Sequence, residues 1–255
     1  MHTKDTIMDR ISKLRVHVAP VGYEIDRVVL PAKQEKADKV WLLLPENKSD
    51  DKTWPFANKI KTQLEKLRIE VKQKDHDRRD LFKIIQAIKN IIELEKGNDV
   101  YVNLASGSKI QAIGTMMACM MFNDDKNIHP FYVEAKNYRG VDSKQPVSTG
   151  IKEIQDVPPY SIKIPNEKLI QALDIIKANN GKLTKKEMAK ITEENNIITV
   201  NAQEKNHSMA RFASLEKNII QPLEEQWKFI KVEKIGRNRW ITFTQEGKNA
   251  IEFLT

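Results

Sequence analysis

Asn103, Ser106, Ser108 and Lys109 fall within seven residues, where the apolar run DVYVNL turns through small residues into a long apolar stretch ending at Phe122. An amide, two hydroxyls and an ammonium gathered around Gly107 are the groups that hold an anion, above all a phosphate. Small residues let a phosphate approach the backbone, and a helix start offers unpaired N–H groups and a positive dipole end. Lys109 can neutralise charge, and Asn103 can read a base edge or brace the turn. The plainer alternative is a helix cap by Ser106 or Ser108, with Lys109 in solvent. A second loop, APVGYE (19–24), offers Gly22 and Tyr23. The turn is not a P-loop, which needs a longer glycine-bounded loop with Lys-Ser/Thr after its second glycine, and G-x-G-x-x-G is absent.

The elements that must position these residues alternate between strand and helix. RVHVAPV (15–21) is β-rich, and YEIDRVVLPAK (23–33) suits a short helix broken by Pro31. KVWLLLP (39–45) is a continuous apolar run of the kind found in strands buried on both faces. FANKIKTQLEKL (56–67) places Ile60, Leu64 and Leu67 on one helical face, and IEVKQ (69–73) is a third strand candidate. The amphipathic segment 77–97 is a helix closed by Gly97, DVYVNL a fourth strand, and HPFYVEAK (129–136) a fifth. Such alternation predicts an α/β domain with a Rossmann-like, mostly parallel sheet. Ligands bind at the carboxyl ends of strands in such sheets, where both loops lie. Residues 137–165 show no clear periodicity and contain four prolines, so the domain boundary is placed near 160.

Residues 161–255 read differently. Asn166 and Gly181 bracket one helix, and Thr184 with Glu187 forms a capping box for a second. A third spans 208–226, ended or kinked by Pro222, with Phe212, Leu215 and Ile219 as its core face. Two β-rich runs flank the turn Gly236-Arg237-Asn238-Arg239, and a short helix follows. Three helices and a ribbon are the order of a winged helix-turn-helix, whose third helix enters the major groove. The DNA-facing candidates are Arg211, Ser214, Lys217 and Asn218 on that helix, and Lys234, Arg237, Asn238 and Arg239 on the wing. Arginine suits guanine and asparagine suits adenine. The ribbon's Lys228, Lys231, Lys234, Arg237 and Arg239 face one acid, Glu233. A winged helix used for protein pairing stays open.

The stretch VNLASGSKIQA resembles the fourth-strand motif of CARF domains, the CRISPR-associated Rossmann-fold sensors, commonly N-x-T-G-G-T-K before an apolar helix. Asn103, Gly107 and Lys109 match, Ser108 replaces a threonine, and Ala105 and Ser106 depart from the pattern. The loop with Gly22 and Tyr23 resembles that family's ligand loop, and WITFTQEGKNAIEFL resembles the end of winged-helix regulators. The resemblance implies an archaeal transcription regulator: a sensor domain over 1–160 and a winged helix over 161–255. It implies a homodimer that binds a cyclic oligoadenylate through Gly22, Tyr23, Asn103, Ser106, Gly107, Ser108 and Lys109, and double-stranded DNA through the winged helix. A ring nuclease, or a regulator sensing another small anion, are the alternatives. No general base stands beside the motif, so no catalytic residue is assigned. His17 alternates with valines as a structural histidine, and His76 lies in a loop of solvated character.

Net charge is +8, spread evenly: 16 basic and 12 acidic side chains in 161–255, 27 and 23 in 1–160. That balance permits nucleic-acid binding without requiring it. The lone cysteine, Cys119, reads as a small buried hydrophobe, and no Cys/His spacing suits zinc. Asp75, His76 and Asp77 are too close in sequence to wrap one ion, so no metal or cofactor is expected. The charged N-terminus lacks a signal-peptide core, and no apolar run reaches membrane length. A soluble, cytoplasmic protein with no membrane partner is expected.

Overall fold

The computed structural model describes residues 13–46, 51–123, 127–139 and 144–255. The segment 1–12, which carries most of the expectation about a leader, lies outside them. The chain divides into two compact units, Met1–Ile162 and Lys163–Thr255.

The first unit holds a six-stranded sheet ordered β3-β2-β1-β4-β5-β6. Its strands are β1 (Arg15–Pro20), β2 (Lys39–Pro45), β3 (Glu70–His76), β4 (Asp99–Asn103), β5 (Ile128–Tyr138) and β6 (Ser148–Asp156). The first five are parallel, and β6 runs antiparallel to β5. The helices are α1 (Asp26–Gln34), α2 (Trp54–Lys66), α3 (Leu81–Leu94) and α4 (Lys109–Met121). α1 packs with α2 and α3 with α4, and right-handed crossovers place the two pairs on opposite faces. The apolar run of β2 is buried as expected: Val40, Leu42 and Leu44 cluster with Val28, Val29 and Ala32 of α1 and Phe56, Ile60 and Leu64 of α2 on one face, and Leu43 is buried on the other.

Three local expectations are corrected. Pro31 lies inside α1, which continues to Gln34; it removes one N–H but leaves the rest of the ladder intact. β3 runs on through His76, because its polar residues occupy a sheet edge exposed along most of its length. The segment without periodicity contains β6, a solvent-facing edge strand carrying Gly150 at φ +65°. Such a strand buries too little to show alternation.

The second unit is a winged helix. α5 (Glu167–Ala178), α6 (Lys185–Glu194) and α7 (His207–Leu215) precede the ribbon β8 (Ile230–Ile235) and β9 (Asn238–Phe243), and α8 (Gln245–Leu254) closes the unit. Asn166 caps α5, and Thr184 and Glu187 form the expected capping box. A strand not anticipated, β7 (Lys182–Thr184), pairs with β9. α7 continues through the wide turns Glu216–Ile220 and Pro222–Gln226, so Pro222 does not end it. In these turns the Trp227 N–H bonds five residues back, to Pro222. The widened turns bury Leu215, Ile219, Ile220 and Leu223, while Phe212 stays 36% exposed and is not core. Among the described residues, no helix is long and apolar enough to cross a membrane.

Candidate functional site

Strand order reverses between β1 and β4, so the helices that follow them leave for opposite faces of the sheet, the place where ligands bind in such folds. Asn103, the last residue of β4, is buried. Its Oδ1 accepts the Ala105 N–H at 2.8 Å, and its Nδ2 donates to the Arg27 carbonyl at 2.7 Å. Four residues beyond Arg27, Pro31 has no N–H to offer that carbonyl. The proline therefore frees the acceptor that anchors the β4 turn to α1. Asn103 braces the turn. Asn103→Ala leaves that carbonyl and the Ala105 N–H without these partners, and should cost about 2 kcal/mol in urea unfolding.

Ser108 caps α4. Its hydroxyl accepts the Gln111 N–H at 3.3 Å, and its own N–H donates to Gln111 Oε1 at 2.9 Å. That bond turns Gln111 Nε2 toward His76 Nε2, 3.2 Å away. The amide nitrogen can only donate, so His76 accepts on Nε2 and carries its proton on Nδ1. Burial holds the His76 pKa below its ordinary value, in keeping with a neutral ring. His76 is thus a buried part of the wall beneath the site, not a solvated loop residue.

Gly107 has φ +82°, and a Cβ there would stand 2.7 Å from Pro20 Cβ. A Cβ on Gly22 would stand 2.9 Å from the Gly107 nitrogen. The two loops touch through their glycines.

Over this contact opens a cleft of about 300 Å³, lined by Gly22, Tyr23, Gly107 and Ser108 together with Thr53, Arg78, Arg79 and Gln111. Four of the seven expected ligand residues thus share one wall. Asn103 and Ser106 lie buried, Ser106 with a hydroxyl that has no partner among the described residues. Lys109 is exposed at the first turn of α4 and is not part of the lining. Sequence reading missed Arg78 and Arg79, although KDHDRRD places both just past the end of β3. Asp51 holds Arg78 at 2.7 Å. Arg79 is exposed and makes no ion pair among the described residues. The lining contains no carboxylate, so its field favours an anion.

In the winged helix unit the candidates separate. Arg211 pairs with Glu193 of α6 at 2.5 Å, and His207 meets the same carboxylate at 3.0 Å. Ser214 donates to the Thr199 carbonyl, and Asn218 donates to Ser214. Lys217 is exposed. On the ribbon, Lys234 lies directly opposite Arg239, and Ile235 opposite Asn238, around a two-residue turn with Gly236 at φ +62°. Arg237, Asn238 and Arg239 share a cleft with Lys185, Lys186 and Phe212.

These two units define a class: a Rossmann-like α/β domain followed by a winged helix domain. Residues 15–138 match the family model described as "HFX_2341_N:-like, N-terminal", and residues 168–255 match that of the DUF6293 C-terminal winged helix domain. The chain is 30% identical over 211 residues to the uncharacterized protein MJ1513 of Methanocaldococcus jannaschii, a match covering 72% of this chain and 63% of that one. It thus spans about 63% of the length of that curated relative. Among solved structures, Can2 from Sulfobacillus thermosulfidooxidans, in complex with cyclic tetra-adenylate, aligns at TM-score 0.40 and 14% identity over 93% of this chain and 63% of that one. Csm6 from Enterococcus italicus, bound to cyclic hexa-2'-fluoro-hexa-dAMP, aligns at 0.40 and 10% over 84% and 56%. With scores this low, the fold is read from the chain's own topology.

Proposed function

We propose that this protein is a ligand-responsive, DNA-binding regulator. The N-terminal unit senses a small anionic nucleotide of the cyclic oligoadenylate class, and the winged helix unit binds double-stranded DNA, as a homodimer. The observation that carries the reading is the carboxylate-free cleft at the strand-order reversal, where touching glycines, the start of α4 and two arginines converge. Backbone N–H groups and Arg79 suit phosphate, and Tyr23, edge-on to Phe56 at 5.4 Å, offers an aromatic wall for a base. The VNLASGSKIQA motif, through its CARF resemblance, narrows the anion to a cyclic oligoadenylate.

Thermal unfolding of the full chain tests this, with cyclic tri-, tetra- and hexa-adenylate against linear oligoadenylate and ATP. A ligand at about a hundred times its dissociation constant adds about 2.7 kcal/mol, a shift of several degrees. One ring should raise the transition of the sheet unit, and Arg79→Ala should weaken that ring's affinity by about tenfold or more. A shift with ATP alone would reassign the cleft to a mononucleotide. No shift with any nucleotide would refute nucleotide sensing.

A further inference from the structure

We infer that the winged helix unit holds DNA through the cationic cleft between its wing and the first turn of α6, and that backbone phosphates, not base edges read by α7, supply most of the binding. This rests on the DNA-binding reading given above and assigns its parts differently from the usual helix-in-groove expectation.

The cleft has a volume of about 430 Å³. Lys185, Lys186, Arg237 and Arg239 line it, and no carboxylate does. Lys185 is engaged by Glu216. Lys186, Arg237 and Arg239 make no ion pair among the described residues. The nearby acids are turned elsewhere: Glu187 accepts the N–H and hydroxyl of Thr184, and Glu233 pairs with Lys231 at 2.9 Å. Like charges directly opposite on a ladder destabilise it, yet Lys234 faces Arg239 across the ribbon. A polyanion lying along the wing removes that repulsion. Phe212, on the side of α7 that meets the cleft, presents an apolar surface among these cations.

The polar face of α7, by contrast, already bonds to the protein itself, although at the surface. Arg211 cannot turn to a guanine without leaving Glu193, and Ser214 and Asn218 are linked to each other and to the Thr199 carbonyl. Lys217 remains, and lysine acts on phosphate as a point charge. The side chains best shaped for base readout would therefore have to give up protein partners first, whereas Lys186, Arg237 and Arg239 are open for phosphate.

The test is fluorescence anisotropy of the full chain with two duplexes of unrelated sequence, between about 50 and 200 mM salt. Two variants are compared: Lys186→Ala/Arg237→Ala/Arg239→Ala, and Arg211→Ala/Asn218→Ala. The wild type should bind both duplexes with affinities within about threefold. The triple variant should bind at least tenfold more weakly, its log K against log salt slope flattened by about 2.7, or about 0.9 per phosphate contact removed. Its thermal transition should stay in place, since these side chains are open to solvent. A triple variant that binds like the wild type would overturn the inference and leave DNA binding standing. So would a double variant that loses more affinity than the triple. A wild type that binds neither duplex at low salt would remove the DNA-binding reading and this inference with it.

Discussion

Gly107→Ala lowers the unfolding free energy of the sheet unit by about 3 kcal/mol, and Gly97→Ala by only about 1 kcal/mol. Both glycines sit in the left-handed region, at φ +82° and +92°. An alanine at either pays the backbone penalty of that region, about 1–2 kcal/mol. The difference lies in what surrounds them. Around Gly97 nothing comes within 4 Å of an added Cβ, whereas at Gly107 the methyl meets Pro20 at 2.7 Å and Gln111 Oε1 at 2.9 Å. Overpacking of that kind costs typically about 1–3 kcal/mol. Gln111 Oε1 is also the acceptor for the Ser108 N–H, so the same methyl disturbs the α4 cap and the wall of the cleft. Urea unfolding of the two variants side by side measures the contact between the β1 and β4 loops directly. Equal losses would mean that the loops do not press together. The Gly107 variant should also lose the ligand-induced thermal shift, and the Gly97 variant should keep it.

That loop contact shows which features the sequence made legible. Local signals did well: Asn166 and Thr184 with Glu187 cap the helices they were expected to cap, because a cap is written within four residues, and at α4 the plainer alternative of a Ser108 cap with Lys109 in solvent is what the structure holds. The apolar run of β2 and the strand–helix alternation fixed the class of sheet. What escaped depends on distant partners. Arg27 pairs with Glu24 at 3.2 Å and donates to the Val133 carbonyl, while Glu24 accepts the Ser148 hydroxyl. This buried polar network ties α1 to β5 and β6 across more than a hundred residues, and no spacing announces it. Arg78 and Arg79 escaped for the same reason: their cleft exists only once β1, β3 and β4 lie in one sheet. Phe212 was misread because a helical wheel assumes an even turn, and the wide turns after Leu215 shift the buried face. Asn103 was legible as a residue with a purpose, but the choice between ligand and brace turned on the carbonyl that Pro31 leaves free.

Protonation of His17 should make the sheet unit strongly acid-sensitive. His17 is buried in β1, stacked on Tyr101 at 5.2 Å and edge-on to Phe131 at 5.6 Å. Burial, helped by the Arg15 charge, lowers its pKa from 6.5 to about 4. The folded state therefore binds this proton more weakly than the unfolded chain. Stability from this residue is fully present above pH 6.5 and is lost as pH falls from there to about 4. At about 1.4 kcal/mol per unit, the loss totals about 3 kcal/mol. His76, also shifted downward by burial, adds to it in the same direction. His17→Phe keeps an aromatic ring in the stack and removes the titration. In urea unfolding followed through Trp41 and Trp54, with Trp227 and Trp240 replaced by phenylalanine, the variant should show a flatter stability curve between pH 6.5 and 4. The two curves should diverge by about 3 kcal/mol across that window, with the residual slope of the variant belonging to His76 and the carboxylates. Parallel curves would place a charged His17 in the folded state and contradict its burial between two aromatic rings. The histidine is thus a neutral member of the sheet that carries the ligand loops, and acid reaches the site through the stability of that sheet.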